Sequence, residues 1–195
     1  MGTDSQLKAH DIVLSGKYAV LRPMNEADWD TLLRWNTDPE VLYFAEGDDV
    51  TARTLDEIQH MYRSISQRAY CFVSTVGGSP IGECWLQQMN LERILAQYPG
   101  SNCWRIDLMI GEKRLWGQGL GTEIISLLTH FGFDRAGADR IFGCDVADYN
   151  PRSRRAFERI GYQVVARLEQ PPGNKAHYCY DLMLTKEQFL SGQGE

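Results

Sequence analysis

The chain has 195 residues, of which 43% are hydrophobic, and this is enough to bury one sizeable core in a single domain. Its 20 Lys and Arg residues against 26 Asp and Glu residues give a net charge of −6. This balance argues against a nucleic-acid partner and suits a cationic small molecule, although many proteins are acidic for solubility alone.

The cysteines, the histidines and the hydropathy pattern narrow the class of protein further. Five cysteines stand singly without a C-x-x-C pair, and four histidines are dispersed, so we predict buried thiols and no metal site. The N-terminus lacks an apolar signal segment, and no apolar run approaches the ~20 residues of a membrane span. We therefore expect a cytoplasmic protein without a membrane partner.

The first hundred residues are predicted to form an arm followed by helices and strands. Residues 1–15 are assigned to a flexible arm, 16–186 to a single domain and 187–195 to a C-terminal tail. The first predicted elements are a strand at 18–22, a helix capped by Asn25 and ended by Asp38-Pro39, and an acidic and aromatic loop at 41–50. A second helix follows the capping box Thr54-Leu55-Asp56-Glu57. Strands at 70–76 and 81–86 come next, and then an irregular or briefly helical excursion at 90–101.

A strand, a glycine-rich turn and a helix follow one another past mid-chain. Polar and apolar residues alternate over 103–110, and apolar residues recur at helical spacing over 120–131. Gly117, Gly119 and Gly121 stand between them at alternate positions. Backbone N–H groups at the start of a helix, without a Cβ to obstruct them, can hold a pyrophosphate. A tight turn between a strand and a helix would need similar glycines even without a ligand, so this signal is weak in isolation.

Two common nucleotide motifs are excluded at this turn. A P-loop needs Lys followed by Ser or Thr after its last glycine, whereas Thr122-Glu123 stands here. A dinucleotide fingerprint needs G-x-G-x-x-G near a first strand, whereas these glycines are two residues apart and lie past mid-chain.

The last third of the chain is predicted to add a strand, a helix and two more strands. The strands are placed at 141–146, 162–168 and 177–184, and Asn150-Pro151 opens a helix that Gly161 ends. The order of all the elements favours an α/β fold, a mixed sheet of about seven strands with helices on both faces.

Two motifs in this order and at this separation resemble those of the GNAT acyltransferases, which use acetyl-coenzyme A (acetyl-CoA). WGQGLG, from Trp116 to Gly121, is similar to the family's pyrophosphate loop, and NPRSRRAFERIGY, from Asn150 to Tyr162, is similar to its second key helix. The resemblance spans roughly 18–184. It implies a GNAT-like fold and an acetyl-CoA-dependent N-acetyltransferase, most similar to aminoglycoside 6'-N-acetyltransferases and the related siderophore N-acyltransferases.

The resemblance also implies which residues hold the coenzyme. The backbone of the central strand would pair with pantetheine, the amides of the turn would hold the pyrophosphate, and Asn150 would bond the pantetheine arm. The implied cofactor-binding residues are Leu108, Met109, Ile110, Trp116, Gly117, Gln118, Gly119, Leu120, Gly121, Thr122, Asn150, Arg155 and Phe157.

Two carboxylates are candidates for the base. An amine attacks a thioester only after its ammonium is deprotonated, with the reactants held together and the oxyanion stabilised. By resemblance the base is Asp107 on the central strand, and Glu83 on the neighbouring strand is a second candidate. A partnered structural carboxylate is the alternative for each.

Two positions depart from the family pattern. Many members place a Tyr where Phe157 stands, to protonate the leaving thiolate. In this chain, either the thiolate leaves without a proton donor, or Tyr149, Tyr178 or Tyr180 donates the proton in place of the missing Tyr. The family often has Gln or Arg where Trp116 stands, so a side-chain contact to the pyrophosphate is missing.

The acceptor is predicted to be a cationic, amine-bearing small molecule, with 6'-N-acetylation of an aminoglycoside as the first choice. Its predicted contacts are Glu46, Asp48 and Asp49 in the acidic loop, with Trp85 and Asp107. The composition of this loop equally fits a solvent-exposed connection that has no part in binding. A siderophore hydroxylamine, a protein amino terminus and a catalytically weak coenzyme A sensor stay open as alternatives, as does the choice between a monomer and a homodimer.

Overall fold

The computed structural model describes residues 6–46 and 52–192. The strands are β1 (Leu14–Ser15), β2 (Ala19–Pro23), β3 (Ala69–Val76), β4 (Ser79–Gln88), β5 (Cys103–Ile110), β6 (Arg140–Ala147), β7 (Gln163–Glu169) and β8 (Tyr178–Thr185). The helices are α1 (Trp29–Trp35), α2 (Pro39–Ala45), α3 (Leu55–Ser66), α4 (Glu92–Gln97), α5 (Leu120–Asp134), α6 (Pro151–Glu158) and α7 (Lys186–Gly192). Short 3₁₀ turns, Glu26–Asp28 and Lys113–Leu115, precede α1 and α5.

The strands form one mixed sheet in the order β1-β2-β3-β4-β5-β6-β8-β7. β2 runs antiparallel to β1 and β3, β5 runs parallel to β6, and β8 runs antiparallel to β6 and β7. The predicted mixed α/β class is confirmed. The sheet has eight strands instead of about seven, because the two-residue β1 is too short to show an alternating pattern.

Local capping signals placed several helices correctly. Thr54 Oγ1 accepts the N–H of Glu57, and Glu57 Oε2 accepts the N–H of Thr54 at 2.7 Å, which is the predicted capping box of α3. Asn150 caps α6, whose first residue is Pro151. After α6, Gly161 has a φ of 103°, a conformation suited to glycine.

The predictions for residues 25–50 were partly wrong. We expected one helix up to Asp38-Pro39 and then a loop at 41–50, but α1 ends at Trp35 and α2 occupies the whole first half of that loop. Asp38 Oδ1 accepts the N–H groups of Glu40 and Val41, so Asp38-Pro39 begins a helix as N-cap and first residue. Residues 47–51 lie outside the described part.

Helix α7 was not predicted from the sequence. Thr185 N donates to Gln188 Oε1 at 3.0 Å, and Gln188 N donates to Thr185 Oγ1 at 3.2 Å. This reciprocal pair is a capping box, so the sequence Thr-x-x-Gln was an available signal. The proposed boundaries of arm, domain and tail stay a prediction.

The chain divides into two compact units. Unit 1 comprises Met1–Trp85 and Leu108–Leu120, and unit 2 comprises Leu86–Asp107 and Gly121–Glu195. Unit 1 has a core that includes Leu32, Trp35, Ile58, Tyr62, Cys71 and Val73, and unit 2 has a cluster of Met89, Ile94, Cys103 and Phe142. Among the described helices none is both long and apolar enough to cross a membrane.

Residues 7–10 lie against the core of unit 1. Leu7 packs on its apolar cluster, and Lys8 N donates to Ser66 Oγ at 2.9 Å. His10 Nε2 lies 2.8 Å from the carbonyl oxygen of Cys71 on β3. These contacts were not indicated by the polar composition of the N-terminal residues.

Candidate active site

The glycine-rich turn before α5 has a left-handed backbone at two of its glycines. Gly117 has a φ of 76° and Gly119 a φ of 84°, and no atom lies within 4 Å of the Cβ position of either. The glycines are therefore required by backbone conformation, because L side chains rarely adopt these angles. Turns of this kind direct backbone N–H groups toward an anion. Leu120 then begins the 15-residue helix α5, whose N-terminus is partially positive.

Side chains hold this turn in place. Trp116 Nε1 donates to the carbonyl oxygen of Ile110, at the end of β5, at 2.7 Å. Its ring lies edge-on to Phe44 with the centroids 5.5 Å apart. Gln118 Nε2 donates to the carbonyl oxygen of Arg114 at 2.8 Å. Trp116 therefore anchors the turn to β5, which gives this departure from the family pattern a structural role.

Two basic residues precede the turn, and they differ in their contacts. Lys113 Nζ lies 2.9 Å from Asp38 and 3.0 Å from Glu40, and hydrogen bonds to these carboxylates raise the pKa of Lys113. The Arg114 side chain is 77% exposed and 3.9 Å from Glu112. Arg114 is thus a solvent-facing cation beside the turn. No role was predicted for Arg114, although a basic residue three positions before the first glycine was a signal.

The predicted base Asp107 forms an ion pair with an arginine of its own strand. Arg105 donates from Nε to one Asp107 oxygen at 2.8 Å and from Nη2 to the other at 2.5 Å. The two residues are two apart on β5, so both side chains lie on one face. Burial lowers the pKa of Arg105, but the charge and hydrogen bonds of Asp107 reverse this and raise it overall. Asp107 is therefore held in a fixed position.

The second candidate, Glu83 on β4, is buried, with 4% exposure. Burial raises the pKa values of Tyr62, Cys71 and Cys84, and the negative charge of Glu83 raises them further. The pKa of Cys71 reaches about 12. The ring of Trp85, a predicted substrate contact, lies 6.0 Å from that of Tyr62 and packs on the core of unit 1.

Helix α6 presents the second motif. The Asn150 side-chain oxygen accepts the N–H of Ser153 at 3.3 Å, so it caps the helix. Arg155 is exposed, whereas Phe157 is buried, with 2% exposure. The Phe157 ring lies 5.1 Å from the ring of Tyr162, edge to face.

The three tyrosines considered as replacements for a catalytic Tyr each lie beside a cation. The distances from the cationic group to the ring centroid are 3.8 Å for Lys175 over Tyr149, 4.3 Å for Arg167 over Tyr178 and 4.7 Å for Arg154 over Tyr180. All three have the same kind of neighbour, so this contact does not single out one of them as an acid.

The acidic residues predicted to meet the substrate are only partly described. Glu46 follows α2, and its carboxylate lies 3.3 Å from Nη2 of Arg53. Asp48 and Asp49 lie outside the described residues. The acidic pocket wall therefore stays a prediction.

The predicted site residues are distributed over the two units. Unit 1 contains Glu46, Glu83, Trp85 and the stretch from Leu108 to Leu120, and unit 2 contains Asp107, Gly121, Thr122, Asn150, Arg155 and Phe157. Within the described residues there is no group of three or more His, Cys, Asp or Glu side chains that could hold a metal ion.

The acetyltransferase (GNAT) domain model matches residues 19–163. This match covers more than half of the chain, so the chain belongs to the GNAT acetyltransferase family. It is an acetyltransferase, and the co-substrate of its family is acetyl-CoA.

Solved structures share this fold at low sequence identity. AAC(6')-Ib in complex with ribostamycin and coenzyme A is 19% identical, with a TM-score of 0.76, over 92% of this chain and 99% of that one. The spermidine N-acetyltransferase from Vibrio cholerae, in complex with coenzyme A and spermine, is 17% identical, with a TM-score of 0.71, over 90% and 99%. A GNAT-family acetyltransferase from Bacillus anthracis is 18% identical, with a TM-score of 0.70, over 90% and 99%.

Proposed function

We propose that this enzyme transfers the acetyl group of acetyl-CoA to a primary amine of a cationic small molecule, with the 6'-amine of an aminoglycoside as the first candidate. The observation that carries the proposal is the pair of left-handed glycines, Gly117 and Gly119, directly before α5. Their turn offers N–H groups and a helix N-terminus to a pyrophosphate. Arg114 adds a cation beside it.

Strand β5 supports the assignment of the pantetheine contact. Its pairs with β6 end at Arg105, whereas the strand continues to Ile110. Leu108, Met109 and Ile110 therefore lie beyond the paired part of that ladder, which suits them to bond the amides of a pantetheine arm. Asn150 and Arg155 are assigned to the coenzyme as well.

The chemistry requires few groups. Acetyl-CoA would supply an activated thioester carbonyl. Attack by the amine nitrogen forms the amide bond, breaks the carbon–sulfur bond and releases the coenzyme as its thiolate, which takes up the second proton that the nitrogen loses. Asp107 binds the substrate ammonium and takes its proton before the attack, while Arg105 holds the carboxylate in place. Holding the two reactants together supplies ~7–11 kcal/mol of the barrier reduction. Glu83 is the second candidate for the base.

The cationic acceptor is supported by charge and by related structures. The chain carries a net charge of −6, which attracts cations. Two enzymes of the same fold were solved with amine ligands, AAC(6')-Ib with ribostamycin and the spermidine N-acetyltransferase with spermine. An aminoglycoside and a polyamine are therefore the acceptors to compare first.

The test is acetyl-CoA-dependent thiol release with kanamycin, spermidine and a basic peptide as separate acceptors. Selective turnover of kanamycin supports the aminoglycoside assignment. Selective turnover of spermidine retains the amine chemistry and replaces the drug with a polyamine. Binding of acetyl-CoA without turnover of any acceptor contradicts the proposal and favours a coenzyme A-binding sensor or a different acceptor class, such as a siderophore hydroxylamine.

A further inference from the structure

A β-bulge interrupts β6 in unit 2. The register between β6 and β8 shifts between Gly143 and Val146, so that Cys144 and Asp145 face Asp181 alone. Two residues opposite one define a bulge, and bulges are frequent beside active sites, where they redirect a side chain. Asp145 has a φ of 55°, in the left-handed region that few residues other than glycine adopt.

Asp181 and Arg93 hold this bulge. Asp181, on β8, has no exposed surface, and its Oδ1 accepts the N–H of Asp145 at 3.0 Å. Arg93 donates to both Asp181 oxygens, from Nε and Nη2, each at 3.0 Å. Nη2 also lies 2.8 Å from Asp145 Oδ1. A buried carboxylate needs such a partner, because an unpaired charge in the interior is strongly unfavourable.

Arg93 also connects the bulge to the face of β5 that carries the predicted base. It stands on α4, whose next residue, Ile94, is buried in one cluster with Cys103 of β5. Cys103, Arg105 and Asp107 alternate along the strand, so they share one face. Helix α4 therefore packs on the face from which Asp107 projects.

One hydrogen bond and one electrostatic effect link this assembly to Arg105, the partner of Asp107. Asn90, just before α4, accepts a hydrogen bond from Arg105 Nη1 at 3.4 Å. Burial lowers the pKa of Arg105, whereas the charge and hydrogen bonds of Asp107 raise it. The negative charge of Asp145, in the bulge, raises this pKa further. The residue just before α4 therefore contacts Arg105 directly, and the bulge that Arg93 and Asp181 hold acts on Arg105 through the charge of Asp145.

We propose that Arg93 and Asp181 are positioning residues for the reaction: they hold α4 and the β6 bulge against Arg105 and so fix the Asp107 carboxylate. This inference rests on the proposed function, because it assumes that Asp107 acts on the amine. Neither residue is proposed to touch the substrate.

The test is a double-mutant cycle on the full-length enzyme with the amine that turns over fastest. Arg93→Gln, Arg93→Lys and Asp107→Asn are made alone, and Arg93→Gln is combined with Asp107→Asn. Arg63→Gln is the matched control, because Arg63 also forms an ion pair, with Glu26 in unit 1, outside this assembly. kcat and KM are measured for both substrates, and acetyl-CoA binding is measured by calorimetry.

We expect Arg93→Gln to lower kcat/KM for the amine at least about tenfold with unchanged acetyl-CoA affinity, and Arg93→Lys to recover part of the loss. In the Asp107→Asn background the same change should cost less than about twofold, because residues that act through one group are not additive. Arg63→Gln should stay near the wild-type rate.

Other results overturn the inference in distinguishable ways. An equal loss from Arg93→Gln in both backgrounds, or a loss of acetyl-CoA affinity, rejects the positioning role alone. A near-wild-type rate for Asp107→Asn rejects the base, and the positioning role fails with it. If no amine is turned over, the proposed function itself fails, and so does this inference.

Discussion

The face of the Phe157 ring packs directly on Gly143 of β6. A Cβ at residue 143 would lie 2.6 Å from Cζ and within 2.8 Å of both Cε atoms. Tyr162 packs against the same ring edge to face, and Phe157 is part of the interior of unit 2. Phe157 has no hydroxyl that could act as an acid, and its ring is instead closely packed in unit 2.

Substituting Gly143 by Ala should destabilise the protein, because the new methyl overlaps a rigid ring that cannot move out of the way cheaply. We expect a loss of about 1–3 kcal/mol in the free energy of unfolding, measured by urea denaturation. The control is Gly192→Ala, where no atom lies within 4 Å of the Cβ position and φ is not positive. A loss for Gly143→Ala no larger than that of the control would contradict this packing.

Substituting Gly119 by Ala should weaken acetyl-CoA binding about five- to tenfold, since a residue with a Cβ is strained by ~1 kcal/mol or more in the left-handed conformation. Calorimetry measures the Kd. Gly78→Ala is matched in geometry, with a φ of 79° against 84° and equally open surroundings, but lies in the β3–β4 turn. Both should lose similar stability, and only Gly119→Ala should lose affinity.

Substituting Asp107 by Asn should lower kcat/KM for the amine by ~100-fold or more, the usual size of a general-base effect. The amide keeps the size of the side chain and can still accept one hydrogen bond from Arg105, so acetyl-CoA affinity should not change. Glu83→Gln, measured in parallel, distinguishes the two candidates. A near-wild-type rate for Asp107→Asn with a large loss for Glu83→Gln would move the base to β4.

Removing the Asp28 carboxylate should cost about 1.5–3 kcal/mol of stability, in line with charged hydrogen bonds in partly buried sites. Its oxygens accept from Arg22 at 2.5 and 2.9 Å and from Asn25 N at 2.9 Å. Asp28→Ala removes all three hydrogen bonds, whereas Asp30→Ala removes an exposed carboxylate two residues away. Thermal and urea unfolding should separate the two variants clearly.

His10 should make the free energy of unfolding depend on pH below the ordinary histidine pKa of about 6.5. Its Nδ1 accepts the N–H of Ile12, so the ring is neutral and Nε2 donates to Cys71. Burial lowers the pKa of His10, ahead of the opposing effects of the Cys71 carbonyl and Asp11. The unfolded chain therefore takes up this proton first, near pH 6.5. The contribution of neutral His10 to the free energy of unfolding is complete above that pH. It is lost as the pH falls through the lower pKa of the folded state.

The measurement is the free energy of unfolding at a series of pH values for the wild type and His10→Gln. The variant should lose less stability than the wild type as the pH falls from 7 to 5. Lys8→Gln, a change in the same segment, should keep the wild-type pH dependence. Parallel curves for wild type and His10→Gln would show that this proton is not linked to folding.

Features that depend on adjacent residues could be predicted from the sequence. The α3 capping box, the Asn150-Pro151 helix start and the glycine turn each lie within a few positions, and their chemistry is decided locally. Asp38-Pro39 was predicted to end a helix but begins α2, because an Asp-Pro dipeptide is compatible with both positions. Each of the seven longer strands lies within two residues of its predicted bounds, whereas β1 was not predicted.

Contacts between distant positions could not be predicted in this way. Arg93 and Asp181 are 88 residues apart, and nothing in either neighbourhood indicates the other. The Arg105–Asp107 pair is local, but whether two side chains on one strand face bond to each other or point apart depends on what covers that face. The packing of Phe157 on Gly143 likewise depends on how α6 lies against β6.

The burial of the cysteines has a practical consequence. All five are unpaired thiols, four of them buried and Cys144 half-buried, and burial raises the pKa of each. Thiol reagents attack the thiolate, so the native protein should contribute little background to a colorimetric assay of released coenzyme A. The same thiols become reactive when the chain opens. Their labelling then reports unfolding without an added probe.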